Sequence, residues 1–109
     1  MLSVISQILC AVSQAQPFTH PGCLSTSNDF ARMKAKVQAG EHPWIDSWNI
    51  LVQNPCAQLN YPTHPQQTLT RGGRDNYQFA YWDTAAAYQQ ALRWKITGET
   101  RYADSAITS

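Results

Sequence analysis

Tyr81 to Thr97 is followed at once by Gly98, Glu99 and Thr100, and this junction constrains the fold most. Trp82, Ala85, Ala86, Gln89, Leu92, Arg93 and Ile96 recur at helical spacing, while Tyr81, Tyr88 and Trp94 widen the apolar surface. Ala85, Ala86 and Ala87 leave room for another helix to approach closely. Gly98 suits the left-handed stop of a helix, and Thr100 opens the next one, with Tyr102, Ala103, Ala106 and Ile107 on one face. A turn this short forces the two helices to fold back on each other.

The same punctuation recurs upstream. Ser25, Thr26 and Ser27 offer N-cap hydroxyls, Asp29 suits a first turn, and Phe30, Met33 and Val37 repeat at helical spacing up to Gly40. A helix is predicted over 28–39, with Arg32, Lys34 and Lys36 on its solvated face. Pro43 opens a second helix with a Trp44, Ile45, Trp48, Leu51, Val52 stripe, closed by Asn54-Pro55. Between Cys56 and Phe79, Pro62, Pro65, Gly72 and Gly73 break any helical period. That stretch reads as a long loop, with at most a weak strand at 67–70, and loops of this length are often functional. The expected class is all-α, built from helical hairpins. The tryptophans, at helical spacing, are expected in the core before the surface.

Composition narrows function. The chain has 109 residues, eight Lys+Arg against seven Asp+Glu, and only 14% charged residues. Nucleic-acid binding needs clustered cations, which are missing here. At 43% hydrophobic, the chain is too apolar for a wholly disordered segment. No apolar run reaches the roughly 20 residues of a membrane-spanning helix.

Met1 to Ala15 carries no charge and contains a short apolar block, with Ser13 and Ala15 as small residues before a cleavage point at Gln16. It reads as a secretory signal peptide, although the basic leading residues are missing. Export places the protein outside the cell, or in the periplasm of a bacterium. Cys10 falls in this leader, leaving Cys23 and Cys56. An oxidising compartment favours a bridge between them, closing a loop of about 33 residues and stabilising by roughly 3–4 kcal/mol. Two free thiols fit the spacing equally. No Cys-x-x-Cys occurs, and His20, His42 and His64 are scattered beside prolines, so neither a metal site nor a cofactor is expected. The helix beginning at Thr100 stops at Ser109 with its face unfinished, and the chain reads as the truncated start of a longer protein.

Several stretches in order carry a family likeness. They are His20-Pro-Gly-Cys-Leu, Met33-Lys-Ala-Lys-Val, Gly40-Glu-His-Pro-Trp44 with Trp48, and Arg71-Gly-Gly. Asp83-Thr-Ala-Ala-Ala-Tyr88, Ala91-Leu-Arg-Trp-Lys-Ile-Thr-Gly98-Glu-Thr and Tyr102-Ala-Asp follow. The series, spanning about Pro17 to Ser109, resembles the N-terminal part of the alginate lyase superfamily. Similar hairpins occur in other toroid polysaccharide lyases and related glycosidases. The resemblance implies the first part of an incomplete (α/α) toroid around a sugar cleft, acting on an acidic polysaccharide such as alginate or glucuronan by β-elimination. In such relatives an Asn-His pair neutralises the uronate carboxylate, and a Tyr in later hairpins takes part in proton transfer. This chain has no Asn-His dipeptide, so no catalytic residue is carried over.

Substrate contact is expected instead from the 71–77 loop. Arg71 and Arg74 can pair with carboxylates, Gly72 and Gly73 admit a ligand to the backbone, and Asn76 and Tyr77 add a polar contact and a stacking ring. A solvated turn, with Arg74 paired to Asp75 or Asp83, is the plainer alternative. Tyr61 and His64 offer a base or a stacking platform, or simply order the loop. Two other functions remain open: a non-catalytic helical module binding sugar or protein, and a toroid glycosidase using Asp75 and Asp83 as paired carboxylates.

Overall fold

The computed structural model describes residues 17, 19–72 and 75–109. The signal peptide expected over 1–15, Cys10, Gly73 and the candidate Arg74 lie outside them. Among the described residues four α-helices run in the order α1 (Ser27–Gln38), α2 (Trp44–Gln53), α3 (Tyr77–Thr97) and α4 (Thr100–Thr108), with a 3-10 turn at Pro55–Ala57 after α2. No strand forms among the described residues, so the weak strand expected at 67–70 is absent and the class is all-α. None of the described helices is long and apolar enough to cross a membrane.

Local chemistry sets the helix ends. Of the hydroxyls Ser25, Thr26 and Ser27, Thr26 is the cap. Its Oγ1 accepts from the Asp29 amide at 3.3 Å, and the Asp29 carboxylate accepts from the Thr26 amide at 2.8 Å. This reciprocal pair satisfies donors that the first turn leaves without partners. The Thr26 amide, then its hydroxyl, hold the Asp29 carboxyl below its ordinary range. At the far end of α2, Gln58 Nε2 donates to the Val52 and Asn54 carbonyls at 2.7 and 2.9 Å. Asn54 Oδ1 accepts from the Cys56 amide at 2.9 Å and starts the 3-10 turn.

Gly98 ends α3 at φ +78°, its amide donating to the Trp94 carbonyl at 2.7 Å. A β-carbon there would meet nothing within 4 Å, so the cost of a side chain is purely conformational. Gly98→Ala is expected to destabilise the chain by about 1–2 kcal/mol, the cost of a left-handed alanine, read as a lower midpoint in urea unfolding.

α3 packs against α4, the 3-10 turn and α1, and α1 packs against α2. Among the described residues Ala57, Ala86, Ile96 and Tyr102 are the buried apolar ones, and Gln90 is fully buried with them. Gln90 Nε2 donates to the Cys56 and Gln58 carbonyls at 3.3 and 3.2 Å, and Arg93 Nη1 donates to the Ala57 carbonyl at 2.8 Å. These bonds fasten the 3-10 turn to α3. The Arg93 guanidinium also lies 4.1 Å from the centre of the Tyr102 ring, tying α3 to α4 by a cation–π contact. Met33, Val37, Trp44, Trp48, Leu51, Leu92 and Ile96 line an apolar groove of ≈ 270 Å³ between α1, α2 and α3.

Three further sequence expectations change. α3 begins at Tyr77, four residues before the Tyr81 start read from periodicity. Trp82, expected in the core, is 48% exposed. Cys23 and Cys56 are not bridged: both are free thiols, Cys23 exposed in the Pro/Gly-rich approach to α1 and Cys56 held in the 3-10 turn against α3.

Candidate functional site

The long loop is held to α3 through one carboxylate. Asp83 sits on α3 two turns from its start, with its side chain 16% exposed. Tyr61 donates its hydroxyl to Asp83 Oδ1 at 2.9 Å. The His64 amide donates to Oδ2 at 2.8 Å, and His64 Nδ1 lies 3.0 Å from Oδ1. The His64 ring stacks on Phe79, with centroids 5.2 Å apart and planes 11° off parallel, and meets Tyr61 and Trp82 edge-on.

The electrostatics follow from this geometry. Burial pushes the Asp83 carboxyl up, but hydrogen bonds from the His64 ring, the His64 amide and the Tyr61 hydroxyl outweigh it, and the net shift is downward. The Tyr61 phenol is pushed up to about 12, first by burial and then by its bond to the Asp83 carboxylate and by that charge. An ionised carboxylate only accepts hydrogen bonds, so the Nδ1 contact places a hydrogen on that nitrogen. Nε2 is left as the second face of the imidazole, and no hydrogen bond or ion pair among the described residues engages it.

The 71–77 candidates divide. The Arg71 guanidinium lies 5.6 Å from the centre of the Tyr77 ring, at the exposed lip of the loop. Tyr77 in turn meets Tyr81 edge-on at 5.3 Å. Asn76 is turned inward. Its Oδ1 accepts from the Thr70 amide at 2.8 Å, while Nδ2 donates to Gln66 Oε1 at 3.0 Å and the Thr68 carbonyl at 2.9 Å. Both ends of that amide shape the loop. Gly72 takes φ +100° and its amide donates to Asp75 Oδ1, so the glycine is needed for the turn itself.

Two carboxylates flank this region, and both are engaged by donors of the chain: Asp75 by Gly72, and Asp83 by Tyr61 and His64. From the sequence Asp83 is a partner for Arg74 or a paired carboxylate with Asp75, not the shared acceptor of Tyr61 and His64. The signal lay in the stripe Phe79, Trp82, Asp83, Ala86, where a carboxylate interrupts an otherwise apolar helical face and needs a partner. Reading α3 from Tyr77 is what makes that stripe visible.

The described chain is thus an all-α protein of packed helical hairpins, with a guanidinium over Tyr77 at the start of its longest helix and, separately, an imidazole among Phe79, Trp82 and Asp83. No protein-family model, curated protein or solved structure matches it.

Proposed function

We propose that this chain is the sugar-binding helical sector of a secreted polysaccharide lyase that cleaves a uronate polymer, alginate-like or glucuronan-like, by β-elimination. The observation that carries the reading is the Arg71 guanidinium held over the Tyr77 ring at the exposed lip of an all-α scaffold. A guanidinium offers paired donors to a uronate carboxylate, and a neighbouring ring offers an apolar face to the pyranose. β-Elimination breaks the bond between C4 and the leaving oxygen after C5 loses its proton. The carboxylate charge must therefore be neutralised as the enolate forms. Arg71 supports binding of that carboxylate. With no Asn-His pair in the chain, the reading assigns these residues to substrate binding and the proton transfers to other hairpins of such a toroid.

Oligouronates are expected to bind the purified chain in isothermal titration, with Arg71→Ala weakening affinity roughly fivefold, the scale of about 1 kcal/mol for an exposed charge pair. Absorbance of the unsaturated sugar end reports any turnover. Absence of both binding and product overturns the reading. A second reading, a non-catalytic secreted module for sugar or protein, draws on the exposed Leu24, Ile50 and Ile107 side chains. Saccharide binding by the complete gene product without unsaturated ends would favour it.

A further inference from the structure

We propose that the Arg71–Gly72 peptide bond is a processing site for an arginine-specific endoprotease of the trypsin class, and that the two pieces stay assembled after the cut. Residues 65–72 form an unbroken exposed run at the tip of the long loop. An endoprotease needs a short stretch of backbone free of secondary structure, so helices resist it and exposed loop tips are preferred. Arg32, Lys34 and Lys36 lie in α1, Arg93 and Lys95 in α3, and Arg101 in α4. Arg71 is therefore the one Lys or Arg among the described residues that stands outside a helix.

The tip opens without loosening the body. Asn76 joins Gln66, Thr68 and Thr70, and the Gly72 amide donates to Asp75 Oδ1, bonds that stay within the 66–76 segment. Opening also lifts the Arg71 guanidinium off the Tyr77 ring, a contact at the exposed lip of the loop. The bonds that join the two sides of the cut lie elsewhere. The Tyr61 hydroxyl and the His64 amide reach Asp83 at 2.9 and 2.8 Å, and Gln90 and Arg93 hold the carbonyls of Cys56, Gln58 and Ala57. α1 also packs against α3 across the cut. Hydrolysis adds water across the amide, breaking its C–N bond and leaving a carboxylate on Arg71 and an amine on Gly72, with no further reactant. The new carboxylate sits on the residue whose guanidinium faces Tyr77, so the cut opposes uronate binding there. That consequence, unlike the cleavage site itself, rests on the uronate reading above.

Digestion of the purified, folded chain with trypsin, followed by intact-mass spectrometry, tests the site. The first products are expected to end at Arg71 and begin at Gly72, to co-elute at the size of the uncut chain in gel filtration, and to separate in urea. Arg71→Gln is expected to lose that cut while keeping the far-ultraviolet helix signal. A first cut at any other bond overturns the site, as does resistance under conditions that digest the urea-unfolded chain. Fragments that elute apart without urea overturn the assembly. Isothermal titration of uncut and nicked chain with alginate oligosaccharides reads the consequence: loss of binding on nicking supports it, and equal binding overturns it. If the uncut chain binds no oligouronate, the uronate reading fails with that consequence, and the fragment masses still decide the site.

Discussion

Asp83→Ala is expected to cost about 2–3 kcal/mol, the scale for losing hydrogen bonds to a charged acceptor, and to free the loop from α3. The substitution removes the shared acceptor of the Tyr61 hydroxyl, the His64 amide and the His64 ring. Their donors are left in a half-buried, ring-lined space, which is costlier than losing a bond in water. Amide hydrogen exchange should rise at His64, whose amide loses its partner, while the Gln90 contacts to the 3-10 turn persist. Asp83→Asn keeps an acceptor oxygen and is expected to cost less than the alanine. Unchanged urea midpoint and unchanged exchange at His64 in Asp83→Ala would show that the loop is held by ring stacking alone.

The same clasp has two pH limbs. The Asp83 carboxyl is depressed in the folded chain, so its contribution is complete above the ordinary carboxylate range. It is lost as pH falls through that range to the lower folded value, because the unfolded chain then binds the proton more readily. The Tyr61 phenol is raised from 10 to about 12, so its contribution is complete below pH 10 and disappears as pH rises toward 12. Stability measured against pH should lose the alkaline limb in Tyr61→Phe and the Asp83 part of the acid limb in Asp83→Asn. An alkaline limb of equal size in Tyr61→Phe would mean that another group is responsible.

Gln90→Ala is expected to be at least as damaging, at about 2–4 kcal/mol, because it combines a buried cavity with two lost hydrogen bonds. Gln90 is fully buried, and its Nε2 serves both the Cys56 and Gln58 carbonyls. The loss should appear as a lower urea midpoint and as greater accessibility of the Cys56 thiol to alkylation. Gln90→Leu refills the volume without the bonds and also removes the buried Oε1, which has no partner among the described residues, so the anchoring role is read from Cys56 alkylation. If alkylation of Cys56 is no faster in Gln90→Leu, the anchoring role fails.

How much of this was legible beforehand differs residue by residue. Gly40 and Gly98 stop their helices at positive φ as read, because a left-handed stop is a local backbone demand that glycine meets alone. Thr26 and Asp29 announce α1 for the same local reason. The first turn of α3 was hidden, since Tyr77 to Ala80 shows no helical stripe until Phe79 has a partner across the loop in His64. Asn76 looked like a ligand contact but spends its amide on the loop, a use that depends on where Gln66, Thr68 and Thr70 come to lie.

The sequence alone determined the all-α class, the helix stops and the turn from α3 to α4, because each depends on residues within a few positions of one another. Only the tertiary structure decided that Tyr61 and His64 converge on Asp83, that Gln90 and Arg93 grip the 3-10 turn, and that Cys23 and Cys56 stay apart. Those contacts join residues roughly twenty to thirty-five positions apart, and loop closure over such distances is set by the packing of whole helices rather than by any local preference.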